Sequence, residues 1–241
     1  MTGSSRGIGR AIAEGLAGVG AAVTVNGRDA EATQTVAGAI TAAGGKSLAV
    51  PADISQSADV AHLIDVTLAT FGRLDILVNN ASISPYYKPA ESMTEAEWDD
   101  VMRVNLKGVF LCCQAAGRVM ISQRSGRIIN ISSIAGKVAL PRLIAYSSAK
   151  GAINQLTRVL AVEWAPYQIL VNAIVPGYIE TDLTKGLREN PKRLDNMIQQ
   201  IPLRRLGKPA EIVGAAIYLA SDAASYVTGQ MLDVDGGWLA L

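Results

Sequence analysis

Short runs of apolar, β-branched residues alternate along this chain with longer stretches in which alanine and leucine recur at helical spacing. The short runs at 21–26, 47–52, 75–81, 127–132, 169–175 and 230–234 read as strands, being apolar over a strand's length. Helices are predicted over 8–19, 29–43, 57–71, 95–122, 146–165 and 210–219, the second of them ended by Gly44-Gly45. Alternation of this kind implies βαβ units and a mainly parallel, doubly wound α/β sheet. No repeat, low-complexity tract or linker interrupts it, so 1–241 reads as one domain. Only 181–202 fits no regular unit, and a loop of that length suits a substrate lid.

Composition sharpens this picture. Hydrophobic residues make up 49% of the chain and aromatic ones 5%, so the core must be built from Ala, Val, Ile and Leu. That suits buried parallel strands covered on both faces. The 22 basic and 21 acidic residues leave a net charge of +1 without a basic stripe, which argues against a nucleic-acid partner. No run of 18 apolar residues and no signal pattern is present, so no membrane partner and a cytoplasmic location are expected. Cys112 and Cys113 are neighbours on a helix and read as buried free thiols. The single histidine, His62, reads as a surface or capping residue, leaving no material for a metal site.

The start of the chain carries candidate chemistry. Gly3, Gly7 and Gly9 in T-G-S-S-R-G-I-G stand directly before a helix, whose N-terminus offers free N–H groups to a pyrophosphate. Glycines in a tight turn would look the same. The next strand ends Asn26-Gly27-Arg28 without the acid that would hold an NAD ribose. Arg28 and Arg6 instead suit a 2′-phosphate, making NADP the expected cofactor over NAD; two solvated surface arginines are the alternative. Tyr146 and Lys150 stand four apart on one helix face, where an ammonium lowers a phenol's pKa. Ser132 and Ser133 end the preceding strand, at the sheet edge where open α/β folds place their chemistry.

With these motifs in order over nearly its whole length, the chain resembles the short-chain dehydrogenase/reductase family. Asp53-Ile54 is similar to that family's adenine-binding pair and Asn79-Asn80-Ala81-Ser82 to its N-N-A-G motif. The resemblance implies a catalytic set of Asn105, Ser133, Tyr146 and Lys150. In it Tyr146 moves the proton, Ser133 bonds the same substrate oxygen, Lys150 binds ribose and Asn105 holds a relay water. It implies cofactor contacts from Gly3, Ser5, Arg6, Gly7, Ile8, Gly9, Asn26, Arg28, Asp53, Ile54, Asn80, Ala81, Tyr146 and Lys150, and from Pro176, Gly177, Ile179 and Thr181 in the P-G loop. It also implies a homo-oligomer, commonly a tetramer, to which the apolar end Trp238-Leu239-Ala240-Leu241 could contribute.

Candidate substrate residues are Ser84, Tyr86, Tyr87, Leu140, Arg142 and Tyr178. Arg142 or Lys88 would receive a carboxylate, or both are solvated charges. The similarity extends equally to gluconate 5-dehydrogenases and to 3-oxoacyl-carrier-protein reductases. The chain departs from the family in two places. Ser82 stands where the pattern has glycine, and the usual first, central strand is missing before Thr2. Its loss removes about 1.5–3 kcal/mol per buried apolar residue, comparable over five residues with a domain's stability of about 5–15 kcal/mol. A gap beside the glycine loop, or weak folding, is the expectation, with a misassigned start as its explanation. A non-catalytic Rossmann-like module is the alternative to an enzyme.

Overall fold

Six parallel strands run through the computed structural model, which describes residues 1–240. In chain order the elements are α1 (Gly7–Gly18), β1 (Ala22–Gly27), α2 (Ala30–Ala42), β2 (Lys46–Pro51), α3 (Ser57–Phe71) and β3 (Ile76–Asn79). There follow α4 (Glu95–Met102), α5 (Val109–Gln123), β4 (Gly126–Ile131), α6 (Ile144–Trp164) and β5 (Ile169–Pro176). The chain closes with α7 (Lys185–Arg188), α8 (Pro191–Gln200), α9 (Ala210–Ala220) and β6 (Met231–Val234).

Alternate strand residues feed two cores, as a pleated strand requires. Val25, Val78, Ile129 and Ile174 pack against Ile12, Leu16, Val36, Ile40 and Ile212 of α1, α2 and α9. Their neighbours Leu77, Ile128 and Val171 pack on the other face against Ile64, Val109, Met120 and Ile153 of α3, α5 and α6. Each fully buried isoleucine contributes about 1.5–3 kcal/mol. Cys112 and Cys113 sit in the second core as free thiols, and His62 is exposed.

The expected gap is present. The strands form two sheets, β1-β2 and β3-β4-β5-β6, and the inner edges of β1 and β3 face one another across a slot. Only the first residues span it: the Met1 nitrogen donates to the Thr24 carbonyl at 2.8 Å, and the Thr2 N–H to the Val78 carbonyl at 2.9 Å.

Two expectations need correction. The helix read as continuous over 95–122 contains a π-helical turn, Arg103–Gly108, between α4 and α5. Its start is fixed by a capping box, in which Thr94 Oγ1 accepts from the Glu97 N–H and Glu97 accepts from the Thr94 N–H. The stretch 181–202 is mostly helical, folding as a 3₁₀ turn Asp182–Thr184 followed by α7 and α8. Asn190 caps α8 through the Arg193 N–H and Pro191 occupies its first turn, so a pair that reads as a turn is a helix start. By length and composition the helix Glu95–Gln123 could cross a membrane, but half of its apolar window is buried within the molecule.

Candidate active site

The glycine loop is held from three sides. The Asn80 side chain donates to the Gly3 carbonyl at 2.8 Å and the Thr2 carbonyl at 3.2 Å, while its N–H reaches Thr2 Oγ1 at 3.0 Å. Asn26 donates to the Val50 and Ala52 carbonyls, both at 3.1 Å, and accepts from the Gly3 N–H at 3.4 Å. Both asparagines thus brace the loop with their side chains. Gly3 has φ +59°, and a β-carbon there would lie 2.6 Å from Ala81 Cα; no other residue fits. Arg6 precedes α1 without a side-chain cap, and no acid stands in the first turn. The free N–H groups and partial positive charge of that terminus therefore fit a pyrophosphate.

A cleft opens over this loop. Of the expected cofactor residues, Gly3, Ser5, Arg6, Gly7, Ile8, Asn26, Arg28, Asp53, Ile54, Asn80, Ala81, Tyr146, Lys150, Pro176, Gly177, Ile179 and Thr181 all line it. Gly9 does not; its role is to let the loop close, since a β-carbon there would meet the Gly3 carbonyl oxygen at 2.2 Å. Arg6 reaches Asp182 at 3.3 Å, a solvated pair that contributes little and leaves the guanidinium available. Burial pushes the Asp53 carboxyl up, but hydrogen bonds from Ser55 and the charges of Arg103 and Arg28 outweigh this and hold it below its usual value. Ser82, Ile83, Val104, Leu183 and Thr184 line the cleft too and were not singled out for it. Ser82 alone had a signal, as the serine in a glycine's place, and its buried hydroxyl has no partner.

Ser133, Tyr146 and Lys150 meet at one wall of this cleft. Ser133 caps the turn after β4 by accepting from the Ala135 N–H at 3.1 Å, and its hydroxyl is near enough to Tyr146 to favour the phenolate. Lys150 Nζ lies 5.5 Å from the Tyr146 ring centroid and donates to the Ile131 carbonyl at 2.8 Å. Ser132, by contrast, turns inward to Asn154 at 2.6 Å. Asn105 sits in the π turn with its side chain clamped to the Ile83 main chain, accepting from the Ile83 N–H and donating to the Ile83 carbonyl, both at 2.8 Å. It positions the cleft wall at Ile83; sequence spacing gave no sign of that clamp.

The expected lowering of the Tyr146 pKa is not what the isolated site produces. Burial pushes the phenol above 10.0, and the Ser133 hydrogen bond only partly opposes this. Burial also drops the Lys150 ammonium from 10.5 to about 7, removing much of the charge that would act on the phenol. Between those two values the unfolded lysine holds more protons than the folded one, so Lys150 makes the fold more stable as pH rises. Above about 8.5 the buried thiols oppose this, because burial keeps Cys112 and Cys113 protonated while unfolded thiols ionise. Unfolding free energies from denaturant titrations between about pH 7 and 8.5 should therefore rise by up to about 1.4 kcal/mol per pH unit relative to Lys150→Met. Parallel curves for the two proteins would exclude a buried ammonium as the source.

None of the candidate substrate residues lines the cleft. Tyr178 follows Gly177 and packs edge-on against Trp238 at 5.2 Å, so the apolar C-terminal end closes on its own chain at that residue; Leu241 lies outside the described residues. Burial, then the nearby Tyr87, pushes the Tyr178 hydroxyl up to about 12. Arg142, at φ +68°, stands over the Tyr87 ring at 5.8 Å. Lys88 is taken up by Glu97 at 2.6 Å, and Tyr86 reaches Asp100 at 3.4 Å. Ser84 continues the loop from Ile83, and Leu140 lies in the segment between Ser133 and Tyr146.

A family model described as Enoyl-(Acyl carrier protein) reductase matches residues 3–239. The chain is 43% identical over 239 residues to a 3-oxoacyl-[acyl-carrier-protein] reductase of Synechocystis sp., covering 98% of this chain and 94% of that protein. It is 42% identical to the reductase FabG of Staphylococcus epidermidis, at 98% and 96% coverage. Among solved structures, a gluconate 5-dehydrogenase from Burkholderia cenocepacia in complex with NADP and tartrate superimposes with a TM-score of 0.96 at 40% identity, covering 100% of this chain and 94% of that one.

Proposed function

Because the chain belongs to the short-chain dehydrogenase/reductase family, we propose that it is an NADP-dependent oxidoreductase that interconverts a secondary alcohol and a ketone, with Tyr146 as the general acid and base. One observation carries this reading: Tyr146, Ser133 and Lys150 line the same cleft as the uncapped N-terminus of α1, with Lys150 Nζ 5.5 Å from the Tyr146 ring centroid.

When bound, the nicotinamide supplies or accepts the hydride. The residues of the chain do the rest. In reduction, Tyr146 gives its hydroxyl proton to the ketone oxygen as the carbonyl carbon receives hydride. Ser133 donates a hydrogen bond to the same oxygen and stabilises the negative charge as it develops. Lys150 would hold the nicotinamide ribose. The negative charge of a bound nucleotide favours its ammonium form, and that restored charge lowers the Tyr146 pKa toward neutrality. Asn105 keeps Ile83 in place against the cleft. Gly3 to Ile8 would take the pyrophosphate, and Arg6 and Arg28 the 2′-phosphate.

The substrate reading keeps Arg142 with Tyr87 and Tyr178 as the entrance, since Lys88 is already neutralised by Glu97. A carboxylated substrate fits Arg142, and residues 181–202 serve as the lid. Exposed Phe110, Val159 and Val162 on α5 and α6 suit burial in a homo-oligomer, a tetramer by resemblance, working in the cytoplasm.

The cofactor assignment has a direct test. Arg28→Ala and Arg6→Ala should each weaken NADPH binding about tenfold to a hundredfold, the loss of about 1.5–3 kcal/mol from a charged hydrogen bond. NADH binding should be unchanged. Equal losses for both nucleotides would remove the arginines from 2′-phosphate recognition.

A further inference from the structure

The π turn Arg103–Gly108 touches the Asp53-Ile54 wall of the cleft at both of its ends. At its close, Gly108 packs so near Ile54 that a β-carbon there would stand 2.8 Å from Ile54 Cδ1. At its start, the Arg103 guanidinium spans three residues from two parts of the chain. Nη2 meets Asp100 of α4 at 2.8 Å, while Nη1 donates to Ser55 Oγ and lies 4.0 Å from Asp53 Oδ2. Ser55 is buried, and its N–H donates to Asp53 Oδ1 at 2.9 Å. The Asp53 N–H in turn donates to Asp59 at 2.8 Å. Arg103 thus holds Ser55, and Ser55 holds the Asp53 carboxylate. Asp53 and Ile54 line the cleft, whereas Arg103 stands behind them and does not.

We propose that Arg103 is a positioning residue for the adenosine half of the nucleotide: by bonding Ser55 and Asp100 together, it fixes the Asp53-Ile54 wall against α4 and the π turn. The proposal rests on the nucleotide reading of the cleft. An adenine amino group needs an acceptor, and one already held in place binds it without an ordering cost. The ion pairs themselves contribute little, because the Arg103 side chain is 39% exposed and solvent screens them. What matters is the fork. A guanidinium bonds Ser55 and Asp100 through different nitrogens at once, whereas a lysine ammonium is a point charge on a flexible stem.

The test titrates adenosine 5′-monophosphate, NADPH, NADH and reduced nicotinamide mononucleotide into the parent chain, Arg103→Met and Arg103→Lys. Thermal unfolding of each free chain accompanies it. Arg103→Met should bind the three adenosine nucleotides about threefold to tenfold more weakly, by a common factor, as the loss of a hydrogen-bonded link implies. Arg103→Lys should lose less than this but not match the parent. Reduced nicotinamide mononucleotide, which lacks the adenosine, should bind all three chains alike, and Tm should hold. Undiminished binding of adenosine monophosphate by Arg103→Met would overturn the proposal, as would a loss confined to NADPH. Equal weakening of the mononucleotide that lacks adenosine would also overturn it, since the role would then be general to the fold. Should Arg103→Met fail to fold, Arg103→Lys decides, and parent-like binding of adenosine monophosphate overturns the proposal. A parent chain that binds no adenosine nucleotide would instead overturn the nucleotide reading of the cleft, and this proposal with it.

Discussion

Replacing Tyr146 by phenylalanine is expected to lower the rate of ketone reduction by NADPH by about 10²–10⁴-fold, the usual contribution of a positioned general acid. The change removes one oxygen and keeps the ring, so the packing beside Lys150 survives. What disappears is the proton delivered to the substrate oxygen. Ser133 still reaches that oxygen but, being held by the Ala135 N–H and far from a useful pKa, cannot replace the acid. Cofactor affinity should stay near the parent value, because the glycine loop and both arginines are untouched. Rate measurements together with NADPH titration check this. A variant that keeps its turnover would place the acid elsewhere.

Gly9→Ala is expected to abolish tight NADPH binding and to destabilise the fold. The new β-carbon would stand 2.2 Å from the Gly3 carbonyl oxygen and 2.4 Å from Asn80 Nδ2. Neither neighbour can withdraw: Gly3 is already against Ala81, and Asn80 bonds both Thr2 and Gly3. Relief must come from opening the loop, at about 1–3 kcal/mol of strain, and an opened loop no longer presents its N–H groups to a pyrophosphate. Gly38→Ala in α2 is the control, for nothing lies within 4 Å of its β-carbon. It should gain about 0.5–1 kcal/mol from lower chain entropy. Thermal unfolding with and without NADPH separates the two variants.

Much of this was legible in the sequence because it rests on local patterns. Strand and helix period placed every strand within a residue or two, and the glycine spacing and the Tyr146–Lys150 interval located the cleft. The split of the described strands into β1-β2 and β3-β4-β5-β6 also matches the gap expected beside the glycine loop. What failed depended on contacts between distant residues. Nothing in V-N-L-K-G says that Asn105 clamps Ile83 and that the helix makes a π turn there. Nor does the sequence say that the Asn26 and Asn80 side chains, while lining the cleft, also bind main-chain groups of and near the glycine loop. The direction of the Tyr146 shift failed for a related reason: spacing places the ammonium, but burial decides whether it is charged.

The most direct measurement mixes the chain with NADPH and a panel of ketones, including a keto sugar acid and a 3-oxoacyl thioester, and follows NADPH consumption against Tyr146→Phe. The account predicts that at least one ketone is reduced and that the phenylalanine variant loses this activity while still binding NADPH. Tight NADPH binding without oxidation by any ketone would contradict it and leave a nucleotide-binding module.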